Sequence, residues 1–215
     1  MTYTAHSNSP LGGITLASDG HALTGLWFDG QNHFPATYRN RTSEDSDLPV
    51  FKQTQKWLDI YFAGECPDFI PPLAPQGTLF QQKIWELLLA IPYGKTMTYG
   101  EIARQYAGMC HDASLQGTAL HGATIQRAST HGASLHSTTS PDSLLHDTSP
   151  QDATLKNMSQ PTKSMSAQAV GGAVGHNPVS LIIPCHRVIG ANGSLTGYAG
   201  GLERKKYLLE LEQGL

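Results

Sequence analysis

Asn177-Pro178-Val179-Ser180-Leu181-Ile182-Ile183-Pro184-Cys185-His186-Arg187-Val188-Ile189-Gly190 is the stretch of this chain on which its reading turns. Leu181-Ile182-Ile183 is a short aliphatic run of the kind a buried strand shows. It leads into Cys185 beside His186. The bland reading of such a cysteine is a small buried apolar residue, the usual fate of a free thiol. The chemical reading is a nucleophile, because a nearby base or cation lowers a thiol from its ordinary pKa of about 8.5. Adjacent side chains on a strand point to opposite faces. Cys185 and His186 therefore cooperate only if the chain turns there, as Pro184 and Gly190 permit. On this stretch alone both readings stay open.

Outward from it, Leu202 to Glu212 suits a closing helix. Upstream, Phe80, Ile84, Leu87, Leu88 and Ile91 recur with helical spacing until Pro92-Tyr93-Gly94 stops them. Thr98-Tyr99-Gly100-Glu101 has the capping-box form, and Ile102-Ala103-Arg104 continues that helix. Ser164 is placed to cap a further helix through Ala167, Gln168, Ala169 and Val170. Two such helices joined by a turn read as a helix-turn-helix. At the other end, Thr2-Tyr3-Thr4, Gly13 to Ala17 and Ala22 to Phe28 are β-rich and separated by turn signals. Phe51, Trp57, Leu58, Tyr61 and Phe62 suit one amphipathic helix, ended by Gly64. Pro67, Pro71, Pro72 and Pro75 form a stiff linker. The expected domains are 1–77 (α/β), and 78–106 with 163–215 (mainly α).

Between the last two pieces lies 107–162, a ten-residue repeat: HDASLQ from His111, HGATIQ from His121, HGASLH from His131, PDSLLH from Pro141 and QDATLK from Gln151. One aliphatic per unit cannot bury a core, which excludes a solenoid and favours disorder. The spaced histidines are not read as a metal site. Of the 215 residues 39% are apolar and 14% charged, and the net charge is −3. That sum argues against a globally basic nucleic-acid binder but hides an uneven distribution. Residues 1–77 hold four basic against eight acidic residues, and 107–162 two against four. The rest of the chain holds eight against five, so an anionic partner belongs there. No run is long and apolar enough for a membrane helix, and Met1 to Pro10 is not a secretory signal. Cys66, Cys110 and Cys185 make neither a disulfide framework nor a zinc signature, as expected of a soluble protein in a reducing, cytoplasmic compartment.

The stretch 177–190 closely resembles the active-site signature of the methylated-DNA–protein-cysteine methyltransferases, the O6-alkylguanine-DNA alkyltransferases. So does Gly197-Tyr198-Ala199-Gly200-Gly201-Leu202. The likeness extends to Thr98–Arg104, Ala167–Gly172, Ser9-Pro10-Leu11-Gly12 and Gly25-Leu26-Trp27-Phe28. It covers about 1–106 and 163–215, and leaves 107–162 as an insert. The resemblance implies an α/β N-terminal domain with a ribonuclease-H-like sheet, and a mainly α C-terminal domain with a winged helix-turn-helix. It also implies the reaction. An alkyl group moves irreversibly from O6 of guanine, or O4 of thymine, to a cysteine of the protein, once per molecule and without a cofactor. The partner is double-stranded DNA, met in the minor groove by a monomer.

By that resemblance Cys185 is the acceptor, and His186 takes its proton through a water. Glu212 orients the histidine, Asn177 ties the recognition helix to the active-site strand, and Tyr99 neutralises guanine as O6 leaves. Substrate contacts fall to Tyr198, to the Cys185 and Val188 carbonyls, and to the Ala199 amide. Since the target atom is inaccessible in stacked duplex, the base must flip out. Ala167, Ala169, Gly171, Gly172 and Ala173 then give a helix smooth enough for the minor groove, where readout is degenerate. Gln168 stands where the family often has an intercalating Arg, so it brings no charge to the gap left by the flipped base. The alternative is a weak or inactive lesion-binding relative, because of the insert and Gln168; a regulator with an added zinc domain and a Cys-His hydrolase are further rivals. Cys185 argues against the first. Cys66 and Cys110 cannot supply four zinc ligands against the second. The hydrolase would turn over.

Overall fold

The computed structural model describes residues 2–35, 47–122 and 165–215. Strands β1 (Tyr3–Ser9), β2 (Gly12–Ser18) and β3 (Leu23–Phe28) form an antiparallel sheet in that order. Ser9 pairs with Gly12 across a tight turn, and its hydroxyl accepts from the Leu11 amide. Helix α1 (Pro49–Phe62) starts on a proline, which has no amide hydrogen to leave unpaired. Its buried residues, Val50, Phe51, Thr54, Trp57, Leu58 and Tyr61, make one continuous stripe at helical spacing.

The proline-rich segment after α1 is not a free linker. Leu23 of β3 donates its amide to Pro72 O and accepts at its carbonyl from Ala74 N, at 2.7 and 2.9 Å. Leu26 does the same with the segment before Cys185, giving to Pro178 O at 2.8 Å and receiving from Ser180 N at 2.9 Å. The β3 edge not used by β2 thus takes up both the linker and the approach to Cys185. One core runs from Ile14 and Phe28 through Trp57 and Trp85 to Val174 and Leu208. By contacts, 1–108 and 165–215 make one compact unit and 109–164 another.

Helix α2 (Leu79–Leu89) begins at a capping box, Thr78 with Gln81, and its Trp85 donates to Ala173 O at 2.9 Å. Strand β4 (Met97–Thr98) leads into α3 (Tyr99–Gly122). The expected capping box is present: Glu101 accepts from the Thr98 amide at 2.7 Å, and Thr98 Oγ1 accepts from the Glu101 amide at 3.2 Å. Helix α4 spans Ala167–Gly175, a 3-10 turn Cys185–Arg187, β5 Val188–Ile189 and α5 Leu202–Gln213. Strands β4 and β5 pair in parallel.

Three expectations change. Leu181–Ile183 is not a strand but a set of tight turns, with Ile182 N on Ser180 O and Ile183 N on Val179 O. Leu181 adopts φ 70°, a conformation that costs an L-residue about 1–2 kcal/mol. The aliphatic run reported burial correctly; burial alone does not choose the backbone. Second, α3 does not stop at Arg104 or Tyr106 but runs on into the first repeat unit. Ala, Leu, Gln and Met are good helix formers, and extending a nucleated helix is far easier than starting one. Third, Ser166 caps α4, accepting from Ala169 N at 3.1 Å. Ser164, and the disorder expected over 123–162, lie outside the described residues.

Candidate active site

Asn177 follows α4 and closes the turns before Cys185 on themselves. Its Oδ1 accepts from Val179 N at 3.0 Å. Its Nδ2 donates to Ile183 O at 2.8 Å, to Val179 O at 3.3 Å and to the Cys185 sulfur at 3.1 Å. One amide side chain therefore fixes both the backbone path and the thiol. The 3-10 turn lets the neighbours Cys185 and His186 serve one site.

His186 is fully buried, and its Nε2 lies 2.7 Å from Glu212 Oε1. An ionised carboxylate only accepts, so Nε2 carries the hydrogen and Nδ1 keeps its lone pair. Nδ1 is buried and makes no hydrogen bond with the described residues. Burial lowers the imidazole pKa, and Glu212 only partly offsets this, so the ring rests neutral. It is a base with its free nitrogen available.

Glu212 is the hub. Besides His186 it accepts from Tyr61 Oη at 2.7 Å, from Arg187 Nε at 2.9 Å and from Gly94 N at 3.1 Å. Burial pushes its carboxyl up, but the hydrogen bonds from His186 and Arg187, with the Arg187 charge, outweigh that and hold it at about 2. Gly94 is needed for close approach, since a Cβ there would sit 3.0 Å from Glu212 O. Arg187 also donates to Ile91 O at 2.6 Å, fastening the α2 exit to the same cluster. Burial raises the Cys185 thiol pKa, while the Asn177 amide and the Lys205 ammonium pull it down. The resting sulfur is a thiol.

Tyr99 stands at the start of α3, and its hydroxyl donates to Thr196 O and Gly197 O at 3.2 Å each. Burial and the nearby Cys185 raise its pKa, which keeps the proton on. Tyr198 is buried, its hydroxyl has no hydrogen bond among the described residues, and its ring stands 6.4 Å from that of His186. Val188 O already accepts from Lys205 Nζ, and Ala199 O accepts from Asn32 N at 3.0 Å. On α4, Ala167, Gln168, Ala169 and Gly172 are exposed and Gly171 is half-buried, while Val170, Ala173 and Val174 face the core.

Residues 1–75 match the family model for the 6-O-methylguanine DNA methyltransferase ribonuclease-like domain. Residues 79–127 and 153–214 match the model for the DNA-binding domain of the same methyltransferase. The chain belongs to the 6-O-methylguanine DNA methyltransferase family. The methylated-DNA–protein-cysteine methyltransferase of Mycobacterium tuberculosis strain H37Rv is 37% identical over 206 residues, 96% of this chain and 89% of the relative. That of Haemophilus influenzae is 32% identical, covering 98% and 86%. The crystal structure of M. tuberculosis OGT in complex with DNA superposes with a TM-score of 0.64 at 36% identity, covering 99% of this chain and 93% of that one. The architecture of the family, a ribonuclease-like domain followed by a DNA-binding domain, is the architecture of this chain. The family match also continues to 127 and resumes at 153, so the stretch without a family counterpart is shorter than 107–162. Among the described residues no helix is long and apolar enough to cross a membrane.

Sequence reading missed Tyr61, Arg187 and Lys205 as parts of the site. A signal existed for Lys205. With Leu208, Leu209 and Glu212 it falls on the buried face of α5 at helical spacing, where a charge needs a partner.

Proposed function

We propose that Cys185 is the alkyl acceptor of a single-turnover DNA-repair methyltransferase. The observation that carries this is the pairing of a buried thiol with a neutral histidine whose Nε2 is pinned by Glu212, leaving Nδ1 as the base. His186 Nδ1 takes the thiol proton, through a water as in the family. The thiolate attacks the alkyl carbon, the sulfur–carbon bond forms and the carbon–O6 bond breaks. Guanine leaves as an anion, and Tyr99 donates toward it in place of the Thr196 and Gly197 carbonyls. The thioether is stable, so each molecule acts once.

The substrate is O6-alkylguanine, and by the same chemistry O4-alkylthymine, in double-stranded DNA. α3 and α4 form the helix-turn-helix of a winged domain, with α4 in the minor groove and the target base flipped out. Tyr198, the Ala199 amide and the Val188 carbonyl line the base, and Gln168 fills the gap it leaves. The crystal structure of the M. tuberculosis relative in complex with DNA supports DNA as the partner. We take the protein to act as a cytoplasmic monomer. Mass spectrometry tests the reading directly. Incubation with O6-methylguanine duplex should add the mass of one methylene to the Cys185 peptide, stoichiometrically and with no turnover. Transfer to Cys66 or Cys110 instead, or release of product over many cycles, would overturn it.

A further inference from the structure

Tyr61 lies in α1, in the ribonuclease-like part of the chain, yet its hydroxyl reaches the Cys185 machinery. It donates to Glu212 Oε1 at 2.7 Å, the oxygen that holds His186, and lies 3.3 Å from His186 Nε2. The side chain is wholly buried, its ring stacked on Trp57 at 5.0 Å and edge-on to Tyr93 and His186. Burial and the Glu212 charge raise its pKa well above the ordinary range, so it can only be a donor to the carboxylate.

We infer that Tyr61 is a positioning residue for alkyl transfer, holding Glu212 so that His186 presents Nδ1 to the thiol. This rests on the reading of Cys185 and His186 given above. The physical argument concerns one oxygen. Three donors converge on Oε1: His186 Nε2, Tyr61 Oη, and Arg187 through Nε and Nη2 at 3.2 and 3.0 Å. When His186 accepts the thiol proton, the imidazolium could pass its Nε2 proton to the carboxylate. A hydroxyl already donating to that oxygen lowers its proton affinity and keeps the proton on the ring. The same bond holds the carboxylate rotamer. Arg187 supplies charge but is half committed to Ile91 O. The other ionisable groups around His186 are Cys185, Tyr198 and Lys205, and among the described residues none of these three is hydrogen-bonded to Glu212. The ribonuclease-like domain therefore contributes to chemistry through one hydroxyl.

The test is Tyr61→Phe, which keeps the ring and its stacking. Single-turnover transfer from O6-methylguanine duplex is followed over DNA concentration, with the melting transition recorded alongside. The maximal rate should fall about tenfold, the scale of one charge-assisted hydrogen bond, while the half-saturating DNA concentration stays the same. In a Glu212→Gln background the same change should cost less than about twofold, because the hydroxyl acts through the carboxylate. A wild-type rate in Tyr61→Phe overturns the inference, as does an equal tenfold loss in the Glu212→Gln background. Should Tyr61→Phe not fold, 3-fluorotyrosine at position 61 alters hydroxyl acidity without touching the packing, and an unchanged rate there overturns it too. Failure of the underlying reading looks different: the wild-type protein itself would carry no alkyl group on Cys185.

Discussion

The turns from Asn177 to Gly190 and helix α4 just before them are built in opposite ways. In the turns the polar side chains Asn177, His186 and Arg187 are buried and bonded to named partners. Helix α4, Ala167–Gly175, has no ionisable side chain and exposes Ala167, Gln168, Ala169 and Gly172. Its glycines lower helix propensity by about 1 kcal/mol each, offset by the Ser166 cap and by Trp85 on Ala173 O. Chemistry at one sulfur needs fixed geometry, so the turns are over-determined. A helix meant for DNA of any sequence needs close backbone approach and little else, so it is nearly bare.

The contrast breaks most sharply at the sulfur. Cys185→Ala should abolish alkyl transfer while DNA binding, which we assign to α4, stays within a few-fold of wild type. Gel-shift titration beside a transfer assay separates the two. Equal loss of both would mean that the turn and the helix are one functional element. Asn177→Ala comes next. It strips the bonds to Val179, Ile183 and Cys185 and takes away the acceptor of the buried Val179 amide, at about 1–3 kcal/mol for that group. Chemical denaturation should show the destabilisation, and transfer should slow by about a hundredfold. A substitution of comparable size on α4, Ala169→Gly, should affect stability by only about 1 kcal/mol.

Acid should act on the turns and leave α4 alone. Glu212 is held at about 2 against an ordinary 4.5, and burial holds His186 below 6.5. Both groups bind fewer protons folded than unfolded, so their contribution is complete above pH 6.5 and lost as pH falls through 6.5 and 4.5 toward 2. The Glu212 part is on the order of 3 kcal/mol. Denaturant midpoints measured across that range should fall steeply in the wild type and less so in Glu212→Gln. A parallel fall in both would place the acid sensitivity elsewhere.

How much of this was legible in the sequence follows the same division. Hydrophobic spacing located α1 and α2, a capping box located the start of α3, and the turn signals located the three strands. Leu181–Ile183 misled because three aliphatics in a row report burial, and here the backbone is set by the Asn177 side chain. Cys185, His186 and Glu212 came from resemblance to a family rather than from spacing. Asn177, which bonds the Cys185 sulfur, came the same way, but Tyr61, Arg187 and Lys205 did not come at all. Tyr61 reads as one more apolar position in an amphipathic stripe, and nothing local says that its hydroxyl meets a carboxylate 151 residues away.

At α4 the informative change is Gln168→Arg. The residue is exposed on the surface of α4, so it should influence only the step in which DNA is engaged and the base leaves the stack. Repair of duplex should improve several-fold, while reaction with free O6-benzylguanine, which needs no flipping, should be unchanged. Equal effects on both substrates would show that position 168 reaches the chemistry after all.

The smallest expected effect lies between the two regions in sequence. The family match skips 128–152, where the sequence offers only Leu135, Leu144 and Leu145 as large aliphatics. Its charge gives it no reason to seek phosphate, with no Lys or Arg and three Asp in 128–152. Replacing 128–152 with a short polar turn should leave the transfer rate within about twofold, because loop length alone changes closure entropy only logarithmically. A cut reaching back to 107 is a different experiment. It removes the last turns of α3, which run to Gly122, and should lower stability even if chemistry survives. If the short excision stops transfer in a protein that still melts cooperatively, the repeat and its histidines take part in function. The division of labour between a fixed turn and a bare helix would then need a third member.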